Sequence, residues 1–276
     1  MSRLAAFAAQ TSRGAMPWLV ALSACSYLLL GFAQPASNVA ALCGRLNALQ
    51  TFFLPEQDLP VWQIFQAAAA DWILMVVAMM APLVAANVSY VGRVVHASQK
   101  AATSIAFLLG YLCVWILSGL LLVPIAFALA SLGGWLDLLV SAGIAVVWSM
   151  APIAQWARNR CHGTGRIAAF GLAAQADGCW FGMRTGNACV LACWPWMLLP
   201  LQVETGHIAL MALTGLFLFA DRVAPPATPA WRLPPALETV FGLALLTGGR
   251  GRWLKKLAPR EIGRFAETDK SAQVRQ

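Results

Sequence analysis

Long apolar runs separated by short polar breaks dominate the chain. Six of them reach about 17 residues or more, the length that reads as a membrane-spanning helix: about 17–33, 66–91, 103–131, 135–156, 187–203 and 206–221. The pattern predicts an all-α fold, a polytopic membrane helical bundle of about six transmembrane helices. A seventh apolar stretch, Pro234 to Gly248, is short, contains Glu238 and is followed by Trp253 and Lys255-Lys256. Those features suit an interfacial or re-entrant helix better than a span. The predicted organisation is an N-terminal segment 1–16, a six-helix domain 17–222, and a C-terminal part 223–276. That last part holds a stiff Pro-rich connector (Ala224 to Pro229), the interfacial helix and a basic tail.

Composition agrees with the pattern. Hydrophobic residues make up 60% of the chain and charged residues 11%, with a mean hydropathy of +0.69; a soluble domain carries about a quarter charged residues. No ordinary soluble domain fits in the remaining loops. The first run follows Arg3 and Arg13 and exceeds the ~7–15 residues of a signal-peptide core, so it reads as a retained anchor. With six spans and both termini in the cytoplasm, 18 of the 19 Lys and Arg residues fall inside and only Arg45 outside. The net charge of +8 is then a topology signal. Its partners are the bilayer and anionic lipid headgroups rather than nucleic acid.

Chemistry concentrates in the fifth run. Cys189-Val-Leu-Ala-Cys193-Trp-Pro-Trp-Met197 places three sulfurs four residues apart, on one face of a helix. Such soft ligands suit Cu(I) or another thiophilic ion, copper or zinc, better than Mg²⁺ or Ca²⁺. Ordinary packing by Cys and Met is the alternative. Asp71, Met75 and Met79 make a similar stripe in the second run, and the two stripes are placed to meet at Met79 and Met197. A carboxylate, thioethers and thiols would then lie along one line, as a relay for a soft cation requires. Asp71 reads equally as a functional intramembrane charge or as a structural hydrogen-bonding group.

The stretch from about 157 to 186 reads as an inner loop bearing Cys161-His162 and Cys179, with glycines allowing tight backbone paths. These three residues are candidate accessory ligands. Pro195 and Pro200 free the carbonyls of Leu191 and Trp196. Trp180, Trp194 and Trp196 read as packing and interface anchors. Asp137 reads as a structural group near the outer surface and Asp221-Arg222 as an interfacial ion pair. His207, beside Glu204, is a lesser candidate for metal or proton binding, and Cys25 and Cys43 fall on the outer side, where they can pair. There is no Gly-x-Ser-x-Gly, His-Glu-x-x-His or phosphate-loop signature, so no enzyme class is indicated.

These residues resemble a bacterial family of unknown function, catalogued as predicted metal-binding integral membrane proteins. The likeness rests on Trp72 with Ala78-Met79-Met80-Ala81-Pro82, on Arg160-Cys161-His162, and on the block Gly182, Gly186, Cys189, Cys193, Trp194 and Met197. Asp221-Arg222 matches the acid-base pair that ends the family's final span. The chain departs from the pattern at Ala192, where a tandem cysteine is typical, at Thr164, where a second loop cysteine is frequent, and at His207, where Asn is expected. The resemblance implies a bacterial inner-membrane protein and a metal site, without implying copper.

The function expected is binding or movement of a soft metal ion, with a metallochaperone or membrane protein as partner. Cys189 and Cys193 are the primary ligands, Met197, Met79 and Met75 weaker thioether contacts, and Asp71 the outer charged contact. Two alternatives stand beside it: a non-catalytic membrane scaffold or assembly subunit, and a membrane thiol oxidoreductase using Cys189 and Cys193. The second is awkward because parallel side chains four apart on a helix seldom reach disulfide geometry.

Overall fold

A computed structural model describes residues 15–33, 61–130, 132–133, 135–203 and 206–238. The chain divides into two compact units, Met1–Pro234 and Pro235–Gln276. In the second, residues 235–238 are helical. The rest of the expected interfacial helix, the basic tail, Cys43 and Arg45 lie outside the described residues.

The described part of the first unit is all-helical, with no strand. Its helices are α1 (Met16–Ala33), α2 (Val61–Met80), α3 (Ala85–Val94), α4 (Lys100–Ala130), α5 (Leu136–Met150), α6 (Pro152–Cys161), α7 (Gly171–Leu201) and α8 (His207–Val223). Proline sets two of the breaks. Pro82, which closes the Ala-Met-Met-Ala-Pro run, opens a 3-10 turn between α2 and α3, and the two helices bend by 49°. Pro152 starts α6 at 71° to α5. By length and apolarity, one helix among the described residues, Ala97–Ala130, is able to cross a membrane, or up to three if each bent pair is one span.

The expected loop 157–186 is corrected. The irregular stretch covers only about 162–170, and α7 runs unbroken from Gly171. Of the glycines read as loop residues, Gly163 and Gly165 lie in the irregular stretch, whereas Gly178, Gly182 and Gly186 sit inside the helix and serve packing. Cβ atoms at Gly182 and Gly110 would collide with the carbonyl oxygens of Phe107 and Cys179, and one at Gly178 would lie 2.7 Å from Thr103 Cγ2. Small residues therefore bring the α4 and α7 backbones together, the arrangement that small-xxx-small patterns support. Trp72 fixes α2 to α4 in a related way, its ring filling the space beside Gly119 while Nε1 donates to the Trp115 carbonyl at 2.8 Å.

α7 packs against α4, α5, α6 and α8, whereas α2 packs chiefly against α1, α4 and α8. The carbonyl of Leu191, freed by Pro195, is satisfied from α5, accepting from Trp148 Nε1 at 2.8 Å. Trp196 donates to Ser149 Oγ at 2.7 Å and Trp194 packs edge-on to Trp148, so both are packing residues, while Trp180 is exposed. From Ala224 the chain leaves α8 in extended geometry, and the Asn159 side chain holds both backbone groups of Ala227, at 2.7 and 3.2 Å.

The expected Asp221-Arg222 pair is also corrected. Asp221 Oδ2 instead accepts from Arg158 Nη1 at 2.6 Å, with both side chains buried. Arg158 further donates to Gln155 Oε1 at 2.8 Å and to the Ser149 carbonyl at 3.1 Å. Neighbouring residues on a helix point about 100° apart, so an adjacent acid and base reach different partners. Arg222 turns the other way, donating to Asn87 Oδ1 at 3.2 Å and to the Cys161 carbonyl at 2.6 Å.

Candidate metal centre

Cys189 and Cys193 face the interior of the bundle from α7, 6% and 3% exposed. Their sulfurs are 3.7 Å apart, and Cys193 Sγ donates to the Cys189 carbonyl at 2.8 Å. Tyr111, carried on α4, donates its hydroxyl to Cys189 Sγ at 3.2 Å. The close approach at Gly182 and Gly186 creates this contact, because Tyr111 N and O are among the atoms nearest those two glycines. Asp221 on α8 lies within electrostatic reach of Cys193, and Tyr111 within reach of Arg222.

The separation of the thiols fits a single shared ion. Two sulfurs bound tetrahedrally at ~2.3 Å would stand roughly 3.8 Å apart. Thiolates with thioethers select Cu(I), whereas a structural zinc site closes with four N, S or O ligands. Among the described residues no group of three or more His, Cys, Asp or Glu side chains is placed to hold a metal ion. Two thiols in one buried cluster with thioethers are a soft donor set of the kind that suits Cu(I).

Thioethers supply the surroundings. Met75, Met79, Met80, Met197 and Met211 are each 1% exposed or less and share one buried cluster with Cys161, Cys189 and Cys193. α2 and α7 are not a principal packing pair, and α4 and α8 each pack against both. Met79 in particular lies against Gly215 of α8, whose Cβ would come 3.8 Å from Met79 Cα. Asp71 is half-buried at the far end of the α2 stripe.

The accessory candidates are positioned by other parts of the chain. Cys179 is ten residues before Cys189 on one continuous helix, hence about 15 Å away along the axis. Cys161 is buried at the end of α6 and lines a cavity together with exposed His162. Desolvation lowers the His162 pKa below its ordinary 6.5, favouring the neutral ring. His207 is buried at the start of α8, its Nδ1 2.6 Å from the Pro200 carbonyl. Asp137 accepts from the Leu138 amide at 2.6 Å, a local structural role. Tyr111, Met211 and Arg158 were not identified as site residues by sequence reasoning. A tyrosine following Gly110 inside an apolar run was the available signal for the first.

Residues 69–245 match a protein-family model described as "PpoB2: Copper chaperone", more than half of the 276-residue chain. No curated protein and no solved structure matches.

Proposed function

This chain belongs to the copper-chaperone family, and from that premise we propose that it is a six-span inner-membrane protein whose cargo, Cu(I), is held by Cys189 and Cys193. The observation that carries the reading is the buried thiol pair, 3.7 Å apart and steadied by the Tyr111 hydroxyl. A chaperone must hold its ion away from water and oxidants yet release it, and two thiolates with soft neighbours suit that better than a closed four-ligand cage. Met197 extends the donor line along α7. Met79 and Met75 continue it on α2 toward Asp71, which would meet the ion at the outer end. Cys161 and His162 are left out of the copper set because Arg93 and Arg222 line the same cavity and repel a cation.

Several features support the membrane assignment. Apolar side chains remain exposed along α4 (Leu109, Leu117, Leu120, Leu121), α5 (Leu139, Val147) and α8 (Leu213, Leu216), with Leu121 at 70%. In a bilayer these faces meet lipid and the exposure carries no penalty. The distribution of Lys and Arg supports cytoplasmic termini.

Copper content of the full-length protein, purified under reducing conditions, tests the proposal. The wild type should carry about one copper per chain, and Cys189→Ser/Cys193→Ser close to none. Equal copper in the two proteins would refute it. Fractionation of cells with an alkaline wash tests the membrane part: extraction into the soluble fraction would overturn it.

A further inference from the structure

A second site stands at the end of the bundle where α3, α6 and α8 terminate. Twelve of the described residues line a cavity of about 180 Å³, and no Asp or Glu is among them. The volume is far above the ~10–15 Å³ that one water requires. Its polar wall is made by Asn87, Tyr90 and Arg93 from α3, His162 and Thr164 from the loop after α6, and Arg222 from α8.

Arg222 is the informative residue. Its Nη2 is committed to Asn87 Oδ1 and to the Cys161 carbonyl, which caps the end of α6. A guanidinium has five N–H donors, so this leaves an edge for another acceptor. Among the described residues no carboxylate pairs with Arg222, in contrast to the adjacent Asp221, which pairs with Arg158. A part-buried cation with no carboxylate partner among the described residues is costly unless an anion completes it. Arg93 adds a second guanidinium to the rim, and the Thr164 hydroxyl is a further donor. Phe219 and Leu83 form an apolar wall, which strengthens attraction to a bound charge.

We propose that this cavity is a binding site for a phosphate group, held between the guanidinium groups of Arg93 and Arg222. Arginine forks match tetrahedral oxyanions through paired hydrogen bonds. The cavity sits at the end of the bundle that the distribution of basic residues assigns to the cytoplasm, where two sources of the group exist: the headgroup of an anionic phospholipid and free phosphate. Either occupant would supply the charge that Arg222 lacks and would tie α3 to α8 through the two arginines. The inference is independent of copper binding.

Thermal unfolding of the full-length protein tests it in two arms. One compares inorganic phosphate with chloride at matched ionic strength in a neutral detergent. The other compares nanodiscs of phosphatidylcholine with nanodiscs that also contain phosphatidylglycerol. Phosphate stabilises proteins generally by exclusion, so the readout is the difference between wild type and variant rather than the rise alone. Arg93→Gln is the first variant, since Arg93 is exposed and its loss leaves the packing intact. Arg222→Lys is the second, keeping the charge while removing the fork. The Tm of the wild type should rise with ligand in at least one arm, and apparent affinity should fall about tenfold in a variant. A rise confined to the phosphate arm identifies free phosphate, one confined to the phosphatidylglycerol arm a lipid headgroup, and both together a site that accepts the group from either source. No rise in either arm, or the same rise in wild type and both variants, overturns the proposal.

Discussion

Two cysteine-bearing regions of this molecule look alike in sequence and differ in what surrounds them. Cys189 and Cys193 lie within α7, in one buried cluster with five methionines, 3.7 Å apart and with the Tyr111 hydroxyl on Cys189. Cys161 and His162 lie at the end of α6, on the wall of a cavity shared with two arginines. The first is buried and soft, with the acid Asp221 within electrostatic reach of Cys193. The second is electropositive. A thiol becomes a metal ligand as its thiolate, and the field around it decides whether a cation can approach. Ligand type alone therefore does not define a copper site.

The contrast can be broken most directly at the sulfurs. Replacing either Cys189 or Cys193 by Ser should remove most of the bound copper, measured by elemental analysis. Retention in both single variants would put the ion elsewhere. Asp221→Asn should come next in size, because it strips the partner from buried Arg158; a loss of about 3–5 kcal/mol is expected in denaturant unfolding. Asp221 also lies within reach of Cys193, so copper affinity should shift in the same variant. If stability is unchanged, the Arg158 network is not what holds α6 to α8.

Gly182→Ala tests whether the close approach of α4 and α7 builds the thiol region. The added Cβ meets backbone, which has little room to move, so destabilisation should reach the upper end of the usual range, about 3 kcal/mol. Tyr111→Phe is gentler. Removing a hydroxyl that steadies a ligand should weaken copper binding about tenfold in a competition titration while the fold persists. No change in affinity would reduce the Tyr111 contact to packing. The smallest effect belongs to the other region: Cys161→Ser should leave copper content unaltered, and a loss there would erase the distinction between the two sites.

Parts of both regions were legible beforehand, for identifiable reasons. Proline is local in its action, so the freed Leu191 carbonyl follows from the backbone itself, whereas the continuous apolar runs 66–91 and 135–156 hid the bends at Pro82 and Pro152. The four-residue spacing of Cys189 and Cys193 needs only a helix to bring the thiols together. Gly178, Gly182 and Gly186 misled, since a glycine inside a helix and one in a loop look the same until a neighbouring helix is present. Asp221 and Arg222 misled similarly: adjacency suggested a pair, whereas helical rotation sends them to Arg158 and to Asn87.

The sequence by itself determined the all-helical class, the apolar runs and the sulfur stripe on α7. Each depends on residues within a few positions of one another, through periodicity, backbone sterics and apolar content. Tertiary structure alone decided which thiols have company. Contacts across helices brought Tyr111 to Cys189, put α8 against Met79, and left Cys161 between arginines. Helix packing and side-chain direction act between residues far apart in the chain, and no local pattern encodes them.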